Sequence, residues 1–288
     1  MRATREDDRH LRDRVVVITG VSGGFGRGAA IAFAKAGAAV VVAARRSEVL
    51  EEVARECESA GARTLALETD VSDPVEVSNL CMETVALFGR IDVWINNAGA
   101  GAIGRFDQIP LEDHIQAVET TLLGTLYGSY VALRQFRRQR HGTLINMGSI
   151  AGKVAAPYYA SYVAAKHGIV GLSAALRREL EQEKEETRHI HVCTVLPAAH
   201  DTPFFQPAAS YSGHHVEPPP PVHDPTEVVE AIVSLALDPT RDEAIVGAAG
   251  KASAGTARLS RSAAERMISR ADEKGLQTRP ARPRRPEA

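Results

Sequence analysis

Cysteine is scarce in this chain, and the sequence has no large excess of one charge. Only three cysteines occur in 288 residues, and they lack the spacing of a metal site or a redox pair, which indicates buried thiols in a reducing compartment. The 34 basic and 36 acidic residues leave a formal charge of -2. This balance provides no general attraction to nucleic acid or to acidic membranes.

Targeting and membrane segments are also missing from the sequence pattern. The stretch 1–12 is highly charged and lacks the apolar core of a signal peptide. No apolar run approaches the roughly 18 residues of a membrane span. We therefore expect a cytoplasmic protein that binds neither nucleic acid nor membrane.

What the sequence does have is an alternation of short β-branched runs and longer segments of helical period. This alternation is typical of parallel strands joined by crossover helices, and runs that are apolar throughout favour a sheet covered on both faces. We expect an α/β fold with three layers and a doubly wound parallel sheet. The expected strands are 15–19, 39–44, 63–68, 91–95, 143–147 and 190–196, with a less marked pattern at 243–247.

Helices are expected between these strands. The spans 111–140 and 160–185 carry the pattern of two long helices. Two polar residues precede helical patterns and are expected to cap them with their side chains, Ser47 and Asp73.

The domain is expected to cover 13–250, after the polar extension 1–12. A long proline-rich segment, 200–225, interrupts it and is expected to act as a substrate loop. Arginine and proline dominate the end of 251–288, which is expected to form a partly disordered tail. A contact of this tail with nucleic acid or a partner protein is the less favoured alternative.

A glycine-rich stretch, TGVSGGFGRGAA at 19–30, lies where the first expected strand gives way to a helix. Gly20, Gly24 and Gly26 allow the backbone to turn tightly and approach a ligand without an intervening side chain. The positive end of the following helix favours a pyrophosphate at the same place. A tight turn without a ligand is the alternative, but the position between strand and helix favours a dinucleotide.

The end of the second expected strand is where a dinucleotide-binding fold selects between NAD and NADP. An acidic side chain there would bind the 2′-hydroxyl of the adenosine ribose, but here Ala44 is followed by Arg45 and Arg46. Guanidinium groups without a carboxylate favour the 2′-phosphate of NADP. The alternative is that these arginines only cap a surface loop.

Tyr162 and Lys166 are four residues apart in ASYVAAKHG, so a helix would present both on one face. A cation beside a phenol favours the phenolate, and we expect Lys166 to lower the pKa of Tyr162. Ser149, at the end of the fifth expected strand, can donate to a substrate carbonyl. A Tyr/Lys pair alone is more often a chance surface pair, so its significance depends on the other motifs.

Several histidines fall in the segment 200–225. They are His200, His214, His215 and His223. They lack metal-ligand spacing on a regular element, so we expect a solvated loop and no metal. Aromatic residues in the same segment favour an apolar substrate.

Taken together, these motifs resemble the short-chain dehydrogenase/reductase family from about residue 13 to about residue 247. The resemblance rests on Thr19-Gly20 with Gly24 and Gly26, Asp70-Val71, Asn96-Asn97-Ala98-Gly99, Ser149, and Tyr162 with Lys166. It implies a single Rossmann-like domain with about seven strands. It also implies an oxidoreductase that interconverts a small carbonyl compound and an alcohol with NADP(H), and a homodimer or homotetramer built through the two long helices.

The resemblance assigns a role to each site residue. Tyr162 would act as the general acid/base, Lys166 would tune it and bind the nicotinamide ribose, and Ser149 would polarise the carbonyl. The cofactor would be bound by Gly20, Ser22, Gly24, Phe25, Gly26, Arg45, Asp70, Val71, Asn97, Ala98, Gly99, Pro197 and Thr202.

Two positions depart from the family pattern. The family has an asparagine where this chain has Thr121, and a glycine where it has Ala198 after Pro197. We expect Thr121 to bond back to a carbonyl one turn earlier in its own helix. These departures leave open the alternative of a catalytically weakened dinucleotide-binding sensor or scaffold.

Overall fold

A computed structural model of the chain describes residues 11–200, 209–211, 221–260 and 264–265. Its strands are β1 (Val15–Thr19), β2 (Ala39–Ala44), β3 (Thr64–Glu68), β4 (Val93–Asn96), β5 (Ala102–Ile103), β6 (Gly142–Met147), β7 (Ile190–Pro197), β8 (Ala209–Ser210) and β9 (Glu243–Val246). Its α-helices are α1 (Gly24–Lys35), α2 (Ser47–Ser59), α3 (Pro74–Phe88), α4 (Leu111–Val118), α5 (Gly124–Gln139), α6 (Ala160–Gln182), α7 (Lys184–Thr187), α8 (Thr226–Leu237) and α9 (Ala248–Leu259).

Seven strands form one parallel sheet in the order β3-β2-β1-β4-β6-β7-β9. The prediction of a doubly wound, Rossmann-like α/β domain is confirmed, and each predicted strand is present with ends shifted by at most two residues. The chain builds the sheet outward in one direction from β1 and in the other from β4. Ligands bind beyond the carboxyl ends of the strands at such a switch point.

The strands form because their valine and isoleucine runs are buried on both faces of the sheet. Every residue of β1 and β2 is buried. Val16 and Ile18 pack into a core with α1 and α8, whereas Val15 and Val17 pack into a second core with α3 and α5. Burial of such a side chain contributes about 1.5–3 kcal/mol, so the covered sheet is the stable arrangement.

One of the two predicted helix caps is present. Asp73 caps α3, since its Oδ1 accepts a hydrogen bond from Val75 N at 2.7 Å. The cap predicted at Ser47 is wrong. Arg46 is the last residue with extended geometry and occupies the cap position of α2 without a side-chain hydrogen bond, because Ser47 is already the first residue of the helix.

The helix predicted over 160–185 is present as α6, but the one predicted over 111–140 is interrupted. A π-helical turn at Glu119–Leu123 joins α4 to α5 and contains the fully buried Thr121. Gly124 follows it, where an added Cβ would lie 2.8 Å from Val71 Cγ2. Glycine therefore lets α5 approach the turn after β3, and π turns are frequent at functional sites.

Outside the main sheet, β5 and β8 form a short parallel pair of their own. Helix α9 occupies the start of the predicted tail, 251–288. Most of that tail lies outside the described residues, so its partial disorder and the predicted domain limits stay predictions. Within the described part of the chain, no helix is long and apolar enough to cross a membrane. The cytoplasmic location also stays a prediction.

Candidate functional site

The glycine-rich turn after β1 and the turn after β4 are held together at the switch point. Gly20 has a φ of +71°, and a Cβ on it would lie 2.5 Å from Ala98 Cα, so this approach requires glycine. Asn97 Nδ2 donates to the carbonyl oxygens of Gly20 at 2.8 Å and of Thr19 at 3.1 Å. The structure thus brings together three of the predicted cofactor residues, Gly20, Asn97 and Ala98.

Helix α1 begins at Gly24 with an N-terminus that no side chain caps. Its cap residue is Gly23, which has no side chain to accept from the first N–H groups, and the first turn contains no acidic residue. The first N–H groups and the positive end of the helix are therefore available to an anion. An added Cβ at Gly26 would lie 2.4 Å from Gly20 O, so the turn packs directly on the helix. This arrangement fits the pyrophosphate of a dinucleotide.

Arg45 and Asp70 follow the ends of β2 and β3. Arg45 is exposed and has no hydrogen bond or ion pair with another described residue. Asp70 Oδ1 accepts from Ser72 N at 2.9 Å and from Ser72 Oγ at 2.6 Å, which fixes the carboxylate. Val71 is buried beside Gly124. Arg45 is thus free to bind a ligand, whereas Asp70 is held by its own turn.

Ser149, Tyr162 and Lys166 meet at the carboxyl end of β6. Ser149 Oγ accepts from Ala151 N at 3.1 Å, and the hydroxyl also hydrogen-bonds to the Tyr162 phenol. Lys166 Nζ lies 5.6 Å from the centroid of the Tyr162 ring and donates to Met147 O at 2.6 Å. The end of β6 and the helix α6 therefore bring the three predicted catalytic residues together.

The surroundings of Tyr162 oppose ionisation of its phenol. Burial raises the pKa of Tyr162 to about 12, against a smaller lowering by the hydrogen bond with Ser149. The chain alone therefore does not produce the predicted net lowering, because the loss of hydration dominates. A lowering by Lys166 together with the charge of a bound dinucleotide stays a prediction. Tyr162 consequently keeps its proton at neutral pH.

Burial acts on Lys166 in the opposite direction. The side chain is 5% exposed, and loss of hydration lowers the pKa of Lys166 to about 7. An amine with this pKa can take up or release a proton near neutral pH, a property typical of functional sites. A Cβ on Gly99 would lie 4.0 Å from Lys166 Nζ, so the lysine also borders the turn after β4.

Thr121 reaches across from the π-helical turn to the turn after β4. Its Oγ1 donates to Ala100 O at 3.0 Å and accepts from Ala100 N at 2.9 Å. The predicted bond back to its own helix is wrong, because the single hydroxyl proton is used on Ala100. Thr121 therefore fixes the backbone immediately after Gly99.

His200 and His223 form a ring pair at the ends of the predicted substrate loop. Their ring centroids lie 5.5 Å apart, and the ring of Phe25 meets His200 edge-on at 5.5 Å. His200 is 2% exposed, so the predicted solvated position is wrong for this residue, which packs against α1 instead. Among the described residues, no group of three or more metal-ligating side chains occurs.

The remaining predicted cofactor residues lie at the same edge or outside the described chain. Ser22 lies in the glycine-rich turn and is partly buried. Pro197 ends β7 and is buried, and Ala198 N donates to β9 at 3.0 Å. The predicted residues outside the described chain are Thr202, His214 and His215.

Sequence reasoning missed the contacts of the segment 209–211 with this edge of the sheet. Tyr211 Oη donates to Asp113 Oδ2 in α4, and Tyr211 N donates to Ile103 O at 2.7 Å. Ile103 in turn belongs to an apolar cluster that includes Tyr162. Two-residue strands leave no periodic pattern, and no motif marks Asp113, so the sequence carries no signal for these contacts.

Comparisons with known proteins agree with this geometry. A family model described as short chain dehydrogenase matches residues 14–212. The uncharacterized oxidoreductase YxnA of Bacillus subtilis is 33% identical over 239 residues, which cover 81% of this chain and 65% of YxnA. This chain thus spans just under two thirds of that relative.

Two solved structures illustrate the likeness of fold. The alcohol dehydrogenase of Thermococcus sibiricus, complexed with 5-hydroxy-NADP, has a TM-score of 0.67 at 26% identity over 81% of this chain and 95% of that one. A short chain dehydrogenase/reductase from Burkholderia phymatum, in complex with NAD, has a TM-score of 0.77 at 22% identity over 96% of this chain and 99% of that one, which shows the fold alone. On its motifs, its sheet and the family match, this chain belongs to the short-chain dehydrogenase family.

Proposed function

We propose that this protein is an NADP(H)-dependent oxidoreductase that interconverts a carbonyl compound and an alcohol. The observation that carries the proposal is the meeting of Ser149, Tyr162 and Lys166 beside the turn after β4, which itself contacts the glycine-rich turn. The N-terminus of α1 and the turns at Gly20 and Gly99 would hold the dinucleotide. When bound, this cofactor supplies the hydride for reduction or accepts it in oxidation.

The chain's own groups handle the proton. Because its pKa is raised to about 12, Tyr162 holds a proton on Oη that it can donate to the oxygen of a carbonyl during reduction. Ser149 donates to the same oxygen and stabilises the negative charge that develops there. Lys166, with a pKa of about 7, is protonated in part of the molecules at neutral pH and stabilises the phenolate that remains.

Replacing Tyr162 by Phe is expected to lower kcat by about 10²–10⁴-fold, the usual contribution of a general acid. Affinity for the dinucleotide should persist, because the ring that packs in the cluster with Ile103 is retained. Turnover is measured from the absorbance of NADPH with ethyl acetoacetate, acetophenone and decanal. Tyr127→Phe, which removes a hydroxyl from a ring packed on the second core, is the matched control and should match the wild type. Undiminished turnover by Tyr162→Phe would refute the assignment.

The preference for NADP(H) is proposed from Arg45, which is exposed at the end of β2 with no acidic neighbour before it. Arg45→Ala is expected to weaken NADPH binding by about 10–100-fold, the cost of losing hydrogen bonds to a charged group, and to leave NADH binding unchanged. Fluorescence titration with each dinucleotide measures both constants. Arg55→Ala, an exposed change in α2, serves as control. Equal losses for NADPH and NADH would contradict a role in reading the 2′-phosphate.

A catalytically weakened sensor or scaffold is the second candidate, and the observation that favours it is Thr121 at the family's asparagine position. The bonds of Thr121 to Ala100 support a working enzyme instead, since they already fix the turn after β4. Thr121→Asn is therefore expected to give no large gain in kcat, whereas Thr121→Ser, which keeps the hydroxyl, should match the wild type. A gain of more than about tenfold, or about 1.4 kcal/mol, with Thr121→Asn would favour the sensor.

A homodimer or homotetramer is proposed from the face of α4 and α5. Leu111 and Ile115 on α4, and Leu126 and Tyr130 on α5, are each at least 40% exposed and spaced one turn apart. Burial of this apolar face by a second copy would remove it from water. Leu126→Glu is expected to shift sedimentation toward the monomer, and Leu87→Glu on α3 should not. A wild-type chain that sediments as a monomer at micromolar concentration would contradict the proposal.

A further inference from the structure

Three segments of the chain meet around Gly104, close to the proposed catalytic groups. Gly104 N donates to Tyr158 O at 3.0 Å. Gly104 has a φ of +153°, and an added Cβ would lie 2.9 Å from Tyr211 Cβ, so no side chain fits between them. Tyr158 itself has a φ of +68°, which is strained for an aromatic residue. Strained residues cluster at ligand sites, so this junction has the character of a binding region.

Tyr211 is held at this junction by both its backbone and its side chain. Its N–H donates to Ile103 O at 2.7 Å, beyond the pairing of β8 with β5. Its Oη donates to Asp113 Oδ2. Asp113 lies in the first turn of α4, where the helix dipole favours a carboxylate. A hydrogen bond from a neutral hydroxyl to a charged acceptor is stronger than one between neutral groups.

Ile103 connects this junction to the phenol. It is fully buried, and it forms an apolar cluster with Tyr159, against which Tyr162 and Val163 pack. The backbone of Ile103 pairs with the segment 209–211. That segment is therefore anchored to the backbone of a residue whose side chain contributes to the apolar cluster around Tyr162.

We propose that Asp113 and Tyr211 are positioning residues for the substrate, because their hydrogen bond holds 209–211 against the backbone of Ile103, whose side chain belongs to the apolar wall beside Tyr162. The inference rests on the proposed function and narrows its substrate to carbonyl compounds that carry an apolar group next to the carbonyl carbon. Neither residue contacts the reacting atoms in this scheme. Their effect is on substrate affinity.

The hydrogen bond is tested first without any turnover, by hydrogen exchange of backbone amides. In Tyr211→Phe and in Asp113→Ala, the amides of Tyr211 and Gly104 should exchange about tenfold faster, as expected for loss of a bond to a charged group. Asp113→Asn keeps an oxygen that accepts from the phenol and should stay near the wild type. The double variant Tyr211→Phe/Asp113→Ala should exchange no faster than either single variant, because the two residues share one interaction.

The role toward substrate is tested by separating KM from kcat. Tyr211→Phe should raise the KM for acetophenone about tenfold. The KM for acetone should not change, because acetone lacks a large apolar group. The kcat and the KM for NADPH should stay near the wild type. Tyr127→Phe is the matched control, since its ring packs on the second core. Melting temperatures confirm that each variant is folded.

Two results would overturn the inference. One is wild-type exchange at Tyr211 and Gly104 in a folded Tyr211→Phe variant. The other is a loss of kcat with an unchanged KM for acetophenone. If the wild type shows no turnover at all, the proposed function fails, and the dissociation constant of acetophenone measured by calorimetry replaces KM, with the same tenfold rise expected.

Discussion

The amide of Asn97, bonded to the turn after β1, is the contact on which the position of every other site residue depends. It holds the two turns of the switch point at a distance that only Gly20 permits. Asn96 fixes the register between β4 and β6, because its Nδ2 donates to Asn146 Oδ1 at 2.9 Å in the buried interior of the sheet. Because buried amides must find partners, a slip of β6 against β4 would break this bond. Ser149 lies two residues after the end of β6, so its distance from the glycine-rich turn is set by the same register.

The buried Lys166 is retained although its burial weakens the fold. The pKa of Lys166 falls from 10.5 to about 7, so the unfolded chain binds a proton that the folded chain does not bind between these values. Stability is therefore lost as the pH falls from about 10.5 to about 7, and the loss is complete below that range. Stability is therefore not the reason for this burial, whereas the proton transfer proposed for Tyr162 and Lys166 is a functional one.

The fold could be predicted from the sequence because the signals for strands and helix starts are local and recur along the chain. Each valine-rich run predicts a strand, and Asp73 predicts a helix start, since both depend on neighbouring residues only. The errors concern surroundings that distant segments create. The pKa of Tyr162 rises because of packing that a motif does not describe, and His200 is buried because α1 lies over it. The pairing of β5 with β8 joins residues more than a hundred positions apart, and neither short segment has a sequence pattern that predicts the pairing.

The helix formed by α4, the π turn and α5 connects three parts of the site. Asp113 binds the segment 209–211, Thr121 binds the turn after β4, and His114 contacts α6. His114 Nε2 lies 3.1 Å from Phe106 O, and a carbonyl only accepts, so Nε2 carries the proton. In the neutral ring, Nδ1 then accepts from Ser161 Oγ at 3.1 Å, one residue before Tyr162. A displacement of this helix would therefore move the segment 209–211, the turn after β4 and the start of α6 together, which couples the proposed substrate wall to the position of the phenol.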